Sequence, residues 1–433
     1  MINVVAEENG FVTRYNRGSI SNWIAGTQPI TEAIPAAVEA FRRLLGTPHL
    51  SAEDLGWEDP ATDHPDDPWA GDPITWLDYL GRHDMTDMDR RAIMGVGLFS
   101  LAAAIAPPVP LPEIAEKVGG AARKYPRAGG ADAARIREMA ELFASMDDRF
   151  GGGHARTAVA TYLRSHVVPL LRGAAGPSRS DVLSAGGELA YLAGYMASDG
   201  GRPGFAQRYY VQAVRIADEA GNATLRATAL RAMAVQAVEL GHPDRAIDLA
   251  DAAAQSLPRA CPLRLRAWMT AMRAEAAANT GRARQARELL RAAERDLDRA
   301  ESPPKSAWTG GYPRAALHHQ TGLALIANGD LGTAETHLAT SVRARQPNER
   351  RSRALVGSRL AVLQARQRRF GAAAQTVQQV EDDLRMVTSA RVEGELAALR
   401  ELWRPACIDP EVADTDRSVA EILRGGRRRT TPA

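Results

Sequence analysis

Apolar positions recur with helical period along most of the chain, and from about Asp181 onward they recur in units. Five helix pairs are predicted. In each, a small residue opens the second helix after a glycine-containing or polar turn. These residues are Ala206, Ala246, Ala286, Ala334 and Ala373, at spacings of 40, 40, 48 and 39. Twelve positions upstream of each stands another small residue: Gly194, Ala234, Ala274, Gly322 and Ala361. Four positions downstream stand Tyr210, Ala250, Leu290, Leu338 and Val377. Small residues at the first two places let paired helices approach closely, and the third is expected to fill the space between successive pairs. A pair cannot bury its apolar stripe alone, so the pairs must stack into an α-solenoid with a concave face. The longest spacing holds Ser302-Pro303-Pro304-Lys305 and Gly310-Gly311, where a loop is expected.

Two more helices are predicted ahead of the array, Ala131–Arg149 and His154–Arg172. Gly151-Gly152-Gly153 lies between them and reads as a turn, since no phosphate-loop lysine follows and no strand precedes. Residues 1–57 predict short helices. One spans Asn3–Asn9 and stops at Gly10. A second runs from Asn16/Arg17 to Ala25 and stops at Gly26. Thr31 caps a third, with Pro35 in its first turns, which ends at Leu45 before Gly46. Ile20, Trp23 and Ile24 give the second helix an apolar face, opposite Arg17, Ser19, Ser21 and Asn22.

Residues 58–73, rich in Asp and Pro, read as a linker. Ile93–Ala106 is a run of 14 small or apolar residues, short of the ~20 that span a bilayer. Pro107, Pro108, Pro110 and Pro112 follow it. A buried helix over 92–106 and then an extended segment are expected. The predicted fold is thus all-α: a small helical N-terminal domain (1–57), a connector (58–130), a helical array (131–405) and a C-terminal extension with a basic tail (406–433). The tail, Arg424-Gly425-Gly426-Arg427-Arg428-Arg429, reads as a frayed terminus.

Charge divides the chain although the net value is only +2. Residues 1–80 carry four arginines against thirteen acids, a net of −9, whereas residues 343–369 carry nine arginines against Glu349, a net of +8. Such asymmetry fits an acidic partner, nucleic acid, contact between the two ends of the chain, or a solvated arginine-rich helix surface. Cys261 and Cys407 are the only cysteines, which excludes a disulfide framework or a multi-cysteine zinc site. The start carries Glu7 and Glu8 and no basic residue, so no signal peptide is expected. The expected location is cytoplasmic, without membrane contact.

Nothing in the residue types points to catalysis. His318-His319 and His337 lack a Glu or Cys at ligand spacing, and neighbouring histidines on a helix point in different directions. No His-Glu-x-x-His and no Gly-x-Ser-x-Gly elbow occur. No enzyme activity, cofactor or metal is expected.

A resemblance is carried by several stretches. Met146-Asp147-Asp148-Arg149-Phe150-Gly151-Gly152-Gly153-His154-Ala155-Arg156 is followed by Tyr162-Leu163. The run Glu188 to Asp199 leads into Gly204-Phe205-Ala206-Gln207-Arg208-Tyr209-Tyr210. The run Ser19 to Pro29 is followed by Leu44-Leu45-Gly46 and Asp54-Leu55-Gly56. Together these resemble actinobacterial, Streptomyces-type regulators that join an N-terminal repressor-like helix-turn-helix to a tetratricopeptide-like array. The chain departs from that pattern in one respect. Only Met1–Arg17 precedes the helix similar to a recognition helix, which is too short for two full helices. Residues 1–46 also balance to zero net charge, and phosphate neutralisation supplies most non-specific affinity.

The resemblance implies a transcriptional regulator that binds double-stranded DNA, with the second helix in the major groove. Ser19, Ser21 and Asn22 would meet base edges or phosphates, and Arg14, Arg17 and Gln28 would hold the backbone. A homodimer would suit paired half-sites. The array would sense a peptide, small molecule or protein partner. Residues placed toward its concave face are Tyr191, Tyr195, Asp199, Arg231, Glu275, Asn279, His319, Ser358 and Arg366. The alternative is a scaffold or sensor that acts through protein contacts without DNA.

Overall fold

The computed structural model describes residues 1–9, 13–30, 33–47, 50–57, 67–84, 98–101, 103–104, 125–300 and 311–430, with side chains to Gly425. Among these residues every regular element is a helix, and the only extended pairing is one bridge between Ala128 and Ala174. The fold class is all-α: a small N-terminal helical part, then consecutive helix pairs of solenoid type. No helix of the described residues is long and apolar enough to cross a membrane.

The chain forms two compact units. The first comprises residues 1–140 and 157–256, the second residues 141–156 and 257–433. The N-terminal helices therefore belong to the same unit as the first two repeat pairs.

In the first unit, α1 (Ile2–Glu8), α2 (Arg17–Ile24) and α3 (Ile34–Leu45) come first. Ile2, Val5 and Ala6 of α1 meet Ile34, Ala37 and Val38 of α3 in a small core, closed by Trp57 and Leu98. Gly46 ends α3 with φ of +64°, a left-handed cap that favours glycine. After α4 (Pro73–Asp84) come α5 (Gly130–Phe150) and α6 (Gly152–Tyr162), whose residues 141–156 belong to the second unit, and then α7 (Val168–Gly173). Between α6 and α7 the turn widens to π geometry over Leu163–Val167. Pro169 accounts for it, because its ring would strike the carbonyl four residues back in a regular helix.

The pairs α8 (Arg179–Asp199) with α9 (Pro203–Ala220) and α10 (Ala223–Glu239) with α11 (Pro243–Ser256) complete this unit. The second unit holds α12 (Leu263–Asn279) with α13 (Ala283–Asp298), α14 (Arg314–Ala327) with α15 (Leu331–Ala344), and α16 (Arg350–Arg366) with α17 (Phe370–Gln379). It ends with α18 (Glu381–Met386), α19 (Ala390–Trp403) and α20 (Pro410–Thr430).

All five predicted second-helix alanines are fully buried, as are Ala234, Ala274 and Ala361. The residue one turn later also packs within its own pair. An added Cβ at Gly194 would stand 2.8 Å from the Tyr210 ring, and one at Gly322 would stand 2.7 Å from Leu338 Cδ2. Tyr210 and Leu338 thus fill space inside their own pair, and Leu338 also packs with Val356, Leu360 and Leu363 of the next pair, as expected. Gly151 takes φ of +85° between α5 and α6, where the Thr388 carbonyl leaves no room for a side chain. Those glycines are a turn built for close backbone approach.

One expectation requires correction. The helix over 92–106 is not what the described part of that stretch forms: residues 98–101, 103 and 104 are not helical, although Leu98, Phe99, Ala103 and Ala104 are buried. The rest of that stretch lies outside the described residues, as do the expected cap Thr31 and the loop at 302–310. The backbone of the tail at 424–429 continues helix α20 (Pro410–Thr430), whose earlier turns are packed. Val412 and Val419 are buried against Leu396, Leu399 and Trp403, and Asp416 accepts bonds from Arg400 Nε at 2.8 Å and Trp403 Nε1 at 2.9 Å. Its amphipathic stripe closes the apolar end of the second unit, which a polar tail could not do.

The arginine-rich stretch is mostly partnered within the second unit. Arg345 pairs with Glu349, Arg351 with Asp147, Arg353 with Asp383, Arg359 with Glu395 and Arg369 with Glu335. A linear count of charge missed this because most of the acids lie outside the stretch.

Candidate functional site

Helix α2 is the most exposed helix of the N-terminal part, with no buried residue. It starts at Asn16, whose Oδ1 accepts from the Ser19 N–H at 3.1 Å, while the Ser19 hydroxyl accepts from the Asn16 N–H at 3.5 Å. That reciprocal cap holds the first turn. Trp23 anchors the helix from below, 5.3 Å from the Tyr15 ring and 5.9 Å from Trp57. Ile20 packs against the same core. Ile24 does not: it is 80% exposed, so the predicted apolar face is narrower than its spacing implied.

Arg14, Arg17, Ser21, Asn22 and Gln28 are exposed on or beside α2, and Ser19 is half-buried. The two serines are partly spent on the helix itself, Ser19 in the cap and Ser21 donating to the Arg17 carbonyl at 3.0 Å. Residues 13–30 contain two arginines and no acid. Two of the four acids that cancel charge over 1–46, Glu8 and Glu39, pair with Arg43. Arg43 Nη1 meets Glu8 at 2.8 Å, and Arg43 Nε meets Glu39 at 2.9 Å. Burial pushes the Glu8 carboxyl up, but His242 and Arg43 together outweigh it and hold it below the usual carboxylate range. The zero balance of the sequence therefore does not describe the surface at α2.

The residues predicted to line a concave groove differ in burial. Tyr191, Asp199, Glu275 and Ser358 are buried. Ser358 donates to the Ala354 carbonyl at 2.8 Å, and Glu275 accepts from Gln320 Nε2 at 2.8 Å, a bond between α12 and α14. These four are packing and bridging residues in this state. Tyr195, Arg231 and His319 are half-buried, with His319 Nε2 3.0 Å from Arg359 Nη1. Asn279 and Arg366 are exposed, although Asn279 donates to its own helix at the Glu275 carbonyl. The periodicity argument located helix faces but not the depth of burial on them.

Two groupings were not visible beforehand. The first is a stripe on α9: Gln207, Arg208, Gln212 and Arg215. Such residues at helical spacing look like a solvent face, yet all four are buried. They hold backbone that belongs to no helix. Gln212 Nε2 donates to the Pro68 carbonyl at 2.9 Å, and Arg215 donates to the carbonyls of Ala70, at 3.1 Å, and Gly71. Burial lowers the Arg215 pKa, which the acids Asp72, Asp67 and Glu219 only partly offset. Gln207 and Arg208 hold residues 98–100 in the same way.

The second grouping is His318 with His337, whose Nδ1 atoms lie 3.0 Å apart across α14 and α15. They line a cavity of about 180 Å³ with Arg287, Arg291, Glu294 and Arg314. One ring must donate and the other accept, so the accepting ring at least is neutral. Burial foremost holds both imidazoles below their ordinary value, and His337 and Arg314 add to this at His318. His318 and His319 do point to different partners, as expected of adjacent helix positions. Among the described residues no three His, Cys, Asp or Glu side chains gather as metal ligands. Cys261 and Cys407 are free thiols, and burial raises the pKa of each.

Residues 1–58 match the family described as the SP15 N-terminal domain. The match spans α1 to α3 and ends just after Trp57, so it covers the small core and α2 but none of the repeat pairs. No curated protein matches the chain.

Proposed function

We propose that the chain is a DNA-binding transcriptional regulator of the helix-turn-helix and helical-repeat type, with α2 as the helix that meets DNA. The observation that carries this reading is the outward face of α2. It is capped, anchored from one side by Trp23, and bordered by Arg14 and Arg17 with no acid across 13–30. Asn22 stands exposed at mid-helix, where a carboxamide can bond adenine in bidentate fashion. The helical pairs serve as the sensing part, and the ligand must bind two forms of the protein differently to change DNA affinity.

The test is retention of fragmented host genomic DNA by the full chain at two salt concentrations. Selective, salt-sensitive retention is expected. Asn22→Ala should relax base preference by about 1–3 kcal/mol at one position. Arg17→Ala should weaken all sequences alike and lower the salt slope by about one. No retention at low salt from a folded, monodisperse chain would overturn the reading.

One observation favours a protein partner instead. Ile24, Ile30, Leu44 and Leu45 are each at least 60% exposed, and exposed apolar side chains mark protein contacts when they cluster. Under that reading α2 serves a scaffold, and Ile24→Ser abolishes partner capture while Arg17→Ala leaves it intact.

A further inference from the structure

Residues 98–101 lie between α1, α3 and α9 and are held by main-chain bonds together with the buried side chains of Leu98 and Phe99. The Phe99 N–H donates to Asn9 Oδ1 at 2.7 Å. The Ser100 N–H donates to Gln207 Oε1 at 2.8 Å, and Gln207 Nε2 returns a bond to the Ser100 carbonyl at 2.7 Å. The Leu101 N–H donates to Glu39 Oε1 at 2.9 Å, and the Leu98 carbonyl accepts from Arg208 Nη1 at 2.7 Å. Successive N–H groups of Phe99, Ser100 and Leu101 thus go to Asn9, Gln207 and Glu39 in turn, with none of them in a helix. Two side chains supply anchors: Leu98 packs in the small core of α1 and α3, and Phe99, 1% exposed, stacks on His242 with centroids 5.5 Å apart.

Three of the four gripping side chains, Asn9, Glu39 and Arg208, also bond to groups outside the segment they grip. Asn9 also donates to the Val5 carbonyl of its own helix at 2.7 Å, Glu39 is paired with Arg43, and Arg208 also donates to the Gly204 carbonyl at 3.3 Å. Their polar atoms would stay aimed into the groove if residues 98–101 left it. A bidentate carboxamide on one residue's N–H and C=O reads backbone, not sequence, so any extended chain with a suitable anchor meets the same bonds.

We infer that the groove between α1, α3 and α9 is a binding site for an extended peptide with a large apolar residue followed by a small one, and that the chain's own residues 98–101 fill it in this state. The inference deepens the sensing half of the regulator reading, but peptide binding at this groove does not depend on DNA. Because the internal segment touches α1 and α3 on one side and α9 on the other, an outside peptide that displaces it changes the link between the N-terminal helices and the first repeat pair. Tethering gives the internal segment a high effective concentration, so the wild-type chain resists exchange.

The test uses the full chain and a labelled peptide with the sequence of residues 97–104, read by fluorescence anisotropy. Phe99→Ala removes one internal anchor and leaves the groove intact. Ser100→Pro removes the N–H that Gln207 accepts from and is a second, independent way to loosen the segment. Each variant should bind the peptide at least about 10-fold more tightly than wild type, as expected from losing one buried contact. Adding Gln207→Ala to either should reverse the gain by about 10-fold or more. Absence of peptide binding in both loosened variants, with helical content unchanged by circular dichroism, would overturn the inference. So would loss of the folded state in both, since the segment would then be integral core. DNA retention is not read, so failure here is separable from failure of the regulator reading.

Discussion

Replacing glycine by alanine at two helix positions of the second unit should shift stability in opposite directions. Gly394 is exposed in the middle of α19, and an added Cβ meets nothing within 4 Å. Alanine there removes backbone freedom from the unfolded chain and should stabilise by roughly 0.8–1 kcal/mol. Gly322 in α14 offers the same propensity gain, but its Cβ would stand 2.7 Å from Leu338 Cδ2 and 2.8 Å from Cγ. Leu338 is fully buried, so it has no space to turn into. Overpacking of this kind costs about 1–3 kcal/mol, which leaves a net loss of up to roughly 2 kcal/mol. Leu338→Ala removes the clash, so Gly322→Ala in that background should recover most of its propensity gain, with a coupling of about 1 kcal/mol or more. Urea denaturation followed by circular dichroism measures all four variants, and both sites report on the same unit. Equal signs for Gly322→Ala and Gly394→Ala, or additivity with Leu338→Ala, would refute the close-approach argument.

Two further outcomes are expected. Arg351→Met should destabilise the second unit by about 3–5 kcal/mol, because it leaves the Asp147 carboxylate, 4% exposed and 2.9 Å from Arg351 Nε, without its counter-charge. A loss below 1 kcal/mol in the denaturation midpoint analysis would show that water reaches Asp147. His318 and His337 titrate below the usual 6.5 in the folded chain, so the unfolded chain binds more protons as pH falls through that value. Their contribution is therefore complete above about pH 6.5 and declines on acidification toward the folded pKa values. Melting temperatures between pH 7.5 and 5.5 should fall less steeply in a His318→Asn/His337→Asn variant than in wild type, and an unchanged slope would sink the assignment.

Much of the fold was legible because helical repeats are local. The turn, the small residue opening a second helix and its partner twelve positions upstream sit within one pair, so Ala206, Gly194 and Tyr210 announce their packing in linear order. Helix α2 was legible for the same reason: its cap, Asn16 with Ser19, and its anchor Trp23 lie within one short stretch. The exposure of Arg17, Ser21 and Asn22 followed from the same local pattern.

What sequence alone could not deliver depends on partners distant in the chain. Ile93–Ala106 is apolar enough to be buried, and a buried backbone ordinarily satisfies itself by forming a helix. Phe99, Ser100 and Leu101 are instead satisfied by Asn9, Gln207 and Glu39, of which Asn9 lies 90 residues away and Gln207 lies 107 from Ser100. No local pattern encodes that exchange. The polar stripe of α9 reads as a wet surface for the same reason, since a glutamine on water and a glutamine on buried peptide have the same spacing. His337 likewise reaches His318 only when α14 and α15 pack. The sequence by itself determined where helices form and which faces are apolar, because propensity, capping and period act over a few residues. The tertiary structure alone decided which polar groups are buried and what they hold, because burying one demands a partner that the chain supplies from far away.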